Sequence, residues 1–453
     1  MRMKTRVDSR RSSAQFVLCA QFVLIAAGSG ACLDLADDPG EMTSSEAGPL
    51  LEDIVDRIPN GVPIPNPAGA AATFSTEGFV DLDDEFHTPQ GSNGRDCATC
   101  HAVESGWSIT PVQIQLLFLL TGGTHPIFNP LDATNQNGDV STVQARRQAY
   151  RLLLTGLFRR GGAPVAGAEY AIVAADDPAG FGSTSRFSFF RRPLATANLN
   201  LITGLMWDDR LTVAGDGRPP RAGLFSQAKG NITGAQQGES PPDALLNAIV
   251  DDELQLWVAQ VVSRGVRLDR CGGLGGPEHL SAQPLVAGRW NLYDAWIGLA
   301  PGSCGSASTD RKRAQIARGQ EIFNERQNAG GGRCRGCHSA VNNGTNVNGA
   351  MFDIRTSTAE RRPDGHPLYT LQNLATGDVV QTTDPGKAFV TGRWSDMNRF
   401  KVPTLRGISA RAPYFHNGIA PTLRDVVRHY DQVQSFGFTQ QEEDDLVAFL
   451  EAL

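Results

Sequence analysis

Apolar residues recur at helical spacing in several stretches of this 453-residue chain. The spacing predicts helices at 111–122, 142–160, 243–262, 313–323, 422–430 and 439–453. The last of these begins with a capping box, in which Thr439 and Glu442 satisfy each other's backbone N–H groups. With long loops between the helices, the pattern predicts a mainly α fold.

Two stretches lack this periodicity, and we interpret them as connections outside the folded domains. Residues 271–310 are rich in Gly and Pro and are typical of a join between two halves. Residues 34–73 are rich in Pro, Gly and Asp and indicate a flexible tether. We therefore expect a tether at 32–73, an N-terminal domain at 74–305 and a C-terminal domain at 306–453.

The N-terminus has the features of a secretion signal. Basic residues within the first eleven positions precede an apolar run at 14–27, and Ser29-Gly30-Ala31 resembles a cleavage site. We expect residues 1–31 to be removed on export. Cys32 could carry a lipid anchor, although Ser29 stands where such sites prefer a larger aliphatic residue. No later segment has the 18 or so consecutive apolar residues of a membrane span, so none is predicted.

Two copies of one five-residue motif carry the chemistry of this chain. They are Cys97-Ala98-Thr99-Cys100-His101 and Cys334-Arg335-Gly336-Cys337-His338. In this motif both thiols form thioethers with a haem, and the adjacent imidazole binds the iron. A zinc ribbon needs its Cys pairs far closer together, and a thioredoxin-type motif needs no His. The sequence predicts two covalently bound haems c in two cytochrome c-like domains, and hence maturation in the periplasm.

The remaining cysteines and the net charge add two expectations. Cys271 and Cys304 either form a disulfide, as an oxidising compartment favours, or remain two buried free thiols. The formal net charge of −7 argues against nucleic acid as a partner.

The second half resembles the dihaem cytochrome c peroxidase and MauG superfamily. The resemblance is carried by FKVPTLRG at 400–407, APYFHNG at 412–418, Thr422-Leu423, and DPGKA at 384–388 with Thr391-Gly392. In the first half it is patchier, with WDDR at 207–210 and QAKG at 227–230 beside the haem motif. Residues 110–190 are longer than in the peroxidases, so we expect a divergent member with an enlarged N-terminal domain.

The resemblance implies ligands for the second haem. His338 would bind one face, and Tyr430 stands at the spacing from His416 where the peroxidases have Met and MauG-type members have Tyr. A phenolate oxygen is a harder, anionic ligand than a thioether and favours ferric or higher-valent iron. The alternative is that His429, or no residue, binds there. His416 itself is expected to contact a haem edge or propionate.

For the first haem the family implies a reactive, open iron. Trp207 would relay electrons between the haems, unless it is an ordinary buried tryptophan. A peroxidatic site also needs an acid-base group, for which Glu239 and Gln237 are the candidates, with Gln236 as a polar substitute beside them. His125 could ligate this iron in a resting form, or be purely structural.

The family also often binds calcium between its domains through carbonyls and an Asn. The matching positions are the carbonyls of Arg411 and Pro413 and the side chain of Asn198, all hard oxygen ligands.

The function predicted is that of an exported, peroxide-dependent dihaem oxidoreductase. Hydrogen peroxide would react at the N-terminal haem. Electrons would come through the C-terminal haem from a small redox protein, as in a peroxidase, or from a protein or organic substrate, as in MauG. The alternative is a dihaem electron-transfer cytochrome without substrate chemistry.

Overall fold

The computed structural model describes residues 56–282 and 288–453. Within them 33% of the structure is helix and 17% is strand, so the fold is mixed α/β and the prediction of a mainly α fold was wrong. The strands are short and irregularly spaced, which is why a search for helical periodicity overlooks them. The predicted signal peptide at 1–31 and Cys32 lie outside the described residues.

Ten α-helices and thirteen strands are described. The helices are α1 Pro111–Thr121, α2 Val143–Ala149, α3 Arg221–Gly230, α4 Asp243–Leu254, α5 Pro277–Ala282, α6 Ala307–Glu325, α7 Cys334–Cys337, α8 Ala388–Thr391, α9 Leu423–Gln434 and α10 Gln440–Leu450. The strands are β1 Arg57–Pro59, β2 Ile64–Asn66, β3 Gly69–Ser75, β4 Phe79–Asp81, β5 Phe158–Gly162, β6 Tyr170–Asp176, β7 Phe187–Arg191, β8 Leu256–Ser263, β9 Val266–Arg267, β10 Met351–Phe352, β11 Leu368–Asn373, β12 Val379–Thr382 and β13 Phe400–Lys401.

All the strand pairs are antiparallel. The largest sheet has the order β2-β3-β8-β9, and a second has the order β12-β11-β6. Three further pairs are β1-β4, β5-β7 and β10-β13. Because β6 belongs to the first half of the chain and β11 to the second, one sheet crosses the predicted domain boundary at 305/306.

Two of the predicted helices continue as strands. The helix predicted at 243–262 ends at Leu254, and its apolar remainder is β8, where Ala259 pairs with Ala72 of β3. That remainder is rich in Val with one Trp, which suits a strand. The helix predicted at 142–160 ends at Ala149, and Gly156, in the left-handed region, turns the chain towards β5.

The described part of the predicted tether is folded. Residues from 57 onward form β1, β2 and β3, and five of the seven residues of β3 are buried. A segment that pairs with β8 in the largest sheet is not a flexible tether, so that prediction was wrong for these residues. The part before residue 56 lies outside the described structure.

The C-terminal helices pack as the sequence indicates. Helix α6 lies against α10, where a Cβ at Gly319 would clash with the carbonyl of Asp445. The predicted capping box at Thr439 and Glu442 is confirmed. Their core also includes Trp290, Tyr293 and Trp296 from before the predicted boundary, together with Phe323 and Phe449.

The disulfide between Cys271 and Cys304 is confirmed, with Cα atoms 6.1 Å apart. In the described part of the chain, no helix combines the length and the apolar character that crossing a bilayer requires.

Candidate functional site

The second haem motif opens onto a cavity of about 420 Å³. Helix α7 carries Cys334 and Cys337, and both line the cavity together with His338. Its other walls are mainly apolar side chains, among them Phe323, Ile354, Leu405, Val427, Leu446 and Leu450. A mostly apolar pocket of a few hundred Å³ with a few convergent polar groups is the usual form of a cofactor site.

His338 is held in the tautomer that a metal ligand needs. Its Nδ1–H donates to the carbonyl of Gly344 at 2.9 Å, which leaves Nε2 with a free lone pair. Burial lowers the pKa of His338 to about 4, against the effect of the Gly344 carbonyl, so the imidazole is neutral at pH 7. Two thiols and a neutral imidazole on one cavity therefore fit a covalently attached haem.

Tyr430 of α9 lines the same cavity and faces His338. The two ring centroids are 6.2 Å apart and the planes are at 85°. Burial raises the pKa of Tyr430, so the phenol is neutral unless a metal displaces its proton. The alternative, His429, donates its Nε2–H to the carbonyl of Ile354 at 2.8 Å. Tyr430 is therefore the better placed of the two candidates.

Three cations on the cavity wall, Arg192, Arg411 and Lys401, form no ion pair with a carboxylate among the described residues. Lys401 donates to the carbonyl of Gly204 at 2.5 Å, and Arg411 donates to that of Arg406 at 2.6 Å. Burial lowers the pKa of Lys401 to about 8 and that of Arg411 to about 10. Buried charges are normally paired, so these side chains fit a group with two carboxylates, as haem has.

The first haem motif repeats the local design of the second. The Nδ1–H of His101 donates to the carbonyl of Trp107 at 3.2 Å, and Trp107 in turn donates to Thr73 at 3.0 Å. Burial lowers the pKa of His101 to about 4, against the carbonyls of Trp107 and Leu194. Cys97 is buried, and Cys100 packs against an apolar cluster of the N-terminal half. This motif too presents two thiols and a neutral imidazole.

The structure exposes both predicted acid-base residues and buries the glutamine beside them. Glu239 and Gln237 are exposed, and the side-chain oxygen of Gln237 accepts from the amide of Asn93 at 3.2 Å. Its neighbour Gln236 is fully buried instead, with its amide nitrogen 3.9 Å from the sulfur of Cys97 and its oxygen accepting from the N–H of Gln90. Gln236 is thus the residue of this stretch that contacts the haem motif.

Glu253 is a further polar group beside the first motif, and the sequence reasoning missed it. It is 2% exposed and its Oε2 has no hydrogen-bond partner within the described structure. Burial and the nearby Asp252 raise the pKa of Glu253 to about 8, and burial followed by Glu253 raises the pKa of the Cys97 thiol. Its spacing from Leu246 and Ile249 on α4 places it on the buried face, which was the available signal.

His125 is half-buried and its Nδ1 accepts from the N–H of Ile127 at 3.3 Å. Burial and then the charge of Arg95 lower the pKa of His125 to about 4. The contact is local and favours a structural role.

Trp207 lies at the junction between the two halves. Its Nε1–H donates to the carbonyl of Arg192 at 2.8 Å, and its ring lines the cavity of the second motif. Further along the same segment, the N–H of Thr196 donates at 3.1 Å to the carbonyl of Trp107, which also accepts from His101 of the first motif. The segment 192–196 therefore contacts Trp207 at one end and the hydrogen-bond partner of a predicted iron ligand at the other.

His416 lies beside Trp207, with the ring centroids 6.1 Å apart. It stacks on Phe400 at 3.9 Å, and its Nε2 is 3.2 Å from the hydroxyl of Ser357. Burial lowers the pKa of His416 to about 3, although Asp384 opposes the shift. His416 is a neutral side chain on the cavity wall, which suits contact with a haem edge.

Two of the three predicted calcium ligands are already in use by the chain itself. The amide of Asn198 donates to the carbonyl of Val258 and its oxygen accepts from the N–H of Val258, both at 2.9 Å. The carbonyl of Arg411 faces the guanidinium of Arg192 at 3.4 Å. The third residue, Pro413, lines the cavity.

The comparisons with known proteins agree with these motifs. A family model described as RoxA-like, cytochrome c-like matches residues 400–436. The methylamine utilization protein MauG of Methylophilus methylotrophus is 35% identical over 280 residues, which cover 58% of this chain and 68% of MauG.

Two cytochrome c peroxidases match over shorter stretches. Cytochrome-c peroxidase IdrP2 of Denitromonas iodatirespirans is 33% identical over 168 residues, which cover 33% of this chain and 41% of IdrP2. Cytochrome c551 peroxidase of Nitrosomonas europaea is 40% identical over 85 residues, which cover 18% of this chain and 25% of that enzyme. The chain thus spans less than half the length of these two peroxidases. Because it covers more than two thirds of MauG, however, this chain belongs to the family of MauG and the dihaem cytochrome c peroxidases.

Proposed function

We propose that this protein is a dihaem oxidoreductase that uses hydrogen peroxide at its N-terminal haem, held by Cys97, Cys100 and His101. The observation that carries the proposal is the short connection between the two motifs. The carbonyl of Trp107 accepts from His101 and from the N–H of Thr196, and Trp207 donates to the carbonyl of Arg192 on the wall of the second cavity. When bound, haem iron supplies the centre that peroxide oxidises. The protein's part is to hold two such centres and to place an oxidisable ring between them.

The second site supports the MauG-like version of this activity. Tyr430 faces His338 across an apolar cavity, and a phenolate ligand stabilises ferric over ferrous iron. A site of that kind suits the storage of oxidising equivalents, so we propose that the electrons come from a protein or organic substrate. A small redox protein as the donor is the alternative, as in a peroxidase.

The proton transfers at the first haem need an acid-base group. Glu239 and Gln237, the candidates from the family resemblance, are both exposed. Gln236 contacts Cys97, and Glu253 is protonated up to about pH 8 beside the same thiol. Of these two groups, Glu253 is the one that can give up a proton, and we propose it as a further acid-base candidate.

The test of the function uses haem-loaded protein mixed rapidly with hydrogen peroxide, with both haem spectra followed in time. We expect the wild type and the control Trp394→Phe to respond at both haems, because Trp394 packs against the β6-β11-β12 sheet, away from the cavity. Trp207→Phe should respond at the first haem and lag at the second. A wild-type protein whose spectrum peroxide does not change would instead be an electron carrier.

We also propose that the protein is exported to the periplasm, with residues 1–31 removed and Cys32 open to lipid attachment. The support is the basic and apolar pattern of the N-terminus and the need of thioether-bound haem for maturation there. N-terminal sequencing of protein from a periplasmic extract tests this, and a chain that still begins at Met1 would contradict it.

A further inference from the structure

The guanidinium of Arg192 is buried between the two halves of the chain. It is 4% exposed, and its hydrogen bonds within the described structure all go to carbonyl oxygens. In the first half, Nη1 reaches Gly156 at 3.0 Å and Nη2 reaches Ile109 at 2.6 Å. In the second half, Nη2 lies 3.4 Å from the carbonyl of Arg411 and 3.3 Å from that of Ala412. One guanidinium group therefore contacts four backbone carbonyl oxygens, two from each half of the chain.

This cation keeps its charge although no carboxylate neutralises it. Burial lowers the pKa of Arg192 to about 10, which leaves the guanidinium protonated at neutral pH. Among the described residues, only the phenol of Tyr414 acts electrostatically on it. Carbonyl dipoles then provide its stabilisation, as they would for a bound metal ion.

The same carbonyl cluster is where the family resemblance implied a calcium ion. A guanidinium 3.4 Å from the carbonyl of Arg411 would repel a divalent cation brought to that oxygen. The expected side-chain ligand, Asn198, uses its whole amide group on the backbone of Val258. The positive charge at this carbonyl cluster is thus supplied by the Arg192 side chain and not by a bound ion.

The backbone of Arg192 also connects this point to the relay. Its N–H donates to the carbonyl of His416 at 2.6 Å, and its carbonyl accepts from Trp207 at 2.8 Å. A displacement of Arg192 would therefore move both rings that line the second cavity. The side chain binds the two halves together while the main chain holds Trp207.

We propose that Arg192 is the resident cation of this junction, replacing a calcium ion and acting as a positioning residue for Trp207. The part of this proposal that concerns electron relay through Trp207 rests on the proposed function; the replacement of calcium by Arg192 does not. Metal content and unfolding temperature test the replacement itself without any peroxide turnover, so the two proposals can fail separately.

The first experiment measures calcium in the haem-loaded wild type by plasma mass spectrometry, before and after treatment with EGTA. We expect much less than one calcium per chain, and no change of unfolding temperature or haem spectrum on chelation. One calcium per chain, whose removal lowers the unfolding temperature, would overturn the replacement. This measurement needs no variant and so does not depend on any variant folding.

The second experiment compares Arg192→Met with Arg146→Met. Arg146 also donates to carbonyls, those of Gly122 and Val140, but within one half. We expect Arg192→Met to unfold at a lower temperature than the control, and to lose the near-ultraviolet circular dichroism band that Trp207→Phe identifies. Millimolar guanidinium chloride, but not sodium chloride, should restore part of both. Equal behaviour of the two variants would contradict the proposed role.

Discussion

Replacing Asp384 with Asn should destabilise the protein far more than removing an exposed carboxylate. Asp384 accepts two hydrogen bonds from Arg191, at 2.6 and 2.9 Å, and Arg191 also donates to Asp208 at 2.5 Å. The side chains of these three residues are at most 4% exposed. Arg210 completes the cluster through Asp208, so two carboxylates balance two guanidinium groups.

The size of the expected loss in stability follows from the equal number of positive and negative charges in this cluster. The Asn variant keeps the shape of the side chain but leaves one guanidinium charge without a counterion in a buried place. Breaking a buried pair by removing one partner costs about 3–5 kcal/mol. Because Arg191 ends β7 in the first half and Asp384 belongs to the second, the loss falls on the contact between the halves. The control Asp81→Asn breaks an exposed pair with Arg57 and should cost about 0–1 kcal/mol.

The assay is urea unfolding of the haem-loaded variants at pH 7, followed by far-ultraviolet circular dichroism. A double variant, Asp384→Leu with Arg191→Met, removes both charges and should recover much of the lost stability. Equal losses for Asp384→Asn and Asp81→Asn would refute the reasoning. So would a double variant less stable than Asp384→Asn, because the cost could not then come from an unpaired charge.

Three further outcomes are expected. Gly319→Ala should lower the free energy of unfolding by about 1–3 kcal/mol, because its methyl group would meet the carbonyl of Asp445; urea unfolding measures this, and an unchanged midpoint would contradict the close packing of α6 on α10. Glu253→Gln should stabilise the protein at pH 8 and not at pH 4. The raised pKa of Glu253 means that the wild type loses stability as the pH rises from the ordinary Glu value towards about 8, and a gain that is equal at both pH values would contradict this. Tyr430→Phe should change the electron paramagnetic resonance signal of the second ferric haem while His429→Gln leaves it unchanged, and the reverse pattern would make His429 the ligand.

The sequence predicts those features that depend on local chemistry. The two haem motifs and the capping box at Thr439 each depend on residue type and short-range spacing. The disulfide between Cys271 and Cys304 spans 33 residues and was one of two alternatives that the sequence left open. Position 430 was identified through family spacing alone, and the structure places its Tyr on the cavity of the second motif.

The remainder depends on long-range contacts that a single sequence does not display. The apolar run after Leu254 satisfies helical spacing and becomes a strand only because β3 is there to pair with it. Gln236 and Gln237 are adjacent and alike, and a backbone turn decides which of them faces Cys97. The guanidinium of Arg192 contacts carbonyl groups from segments that are distant in the sequence, and no sequence motif predicts such a site.

The most direct test of the account is electron paramagnetic resonance of the ferric, haem-loaded protein before and after one equivalent of hydrogen peroxide. We expect two distinct ferric haem signals, one from a haem with an open face and one from a haem with two axial ligands, and we expect peroxide to diminish both. A single haem signal, or two signals that peroxide leaves unchanged, would contradict it.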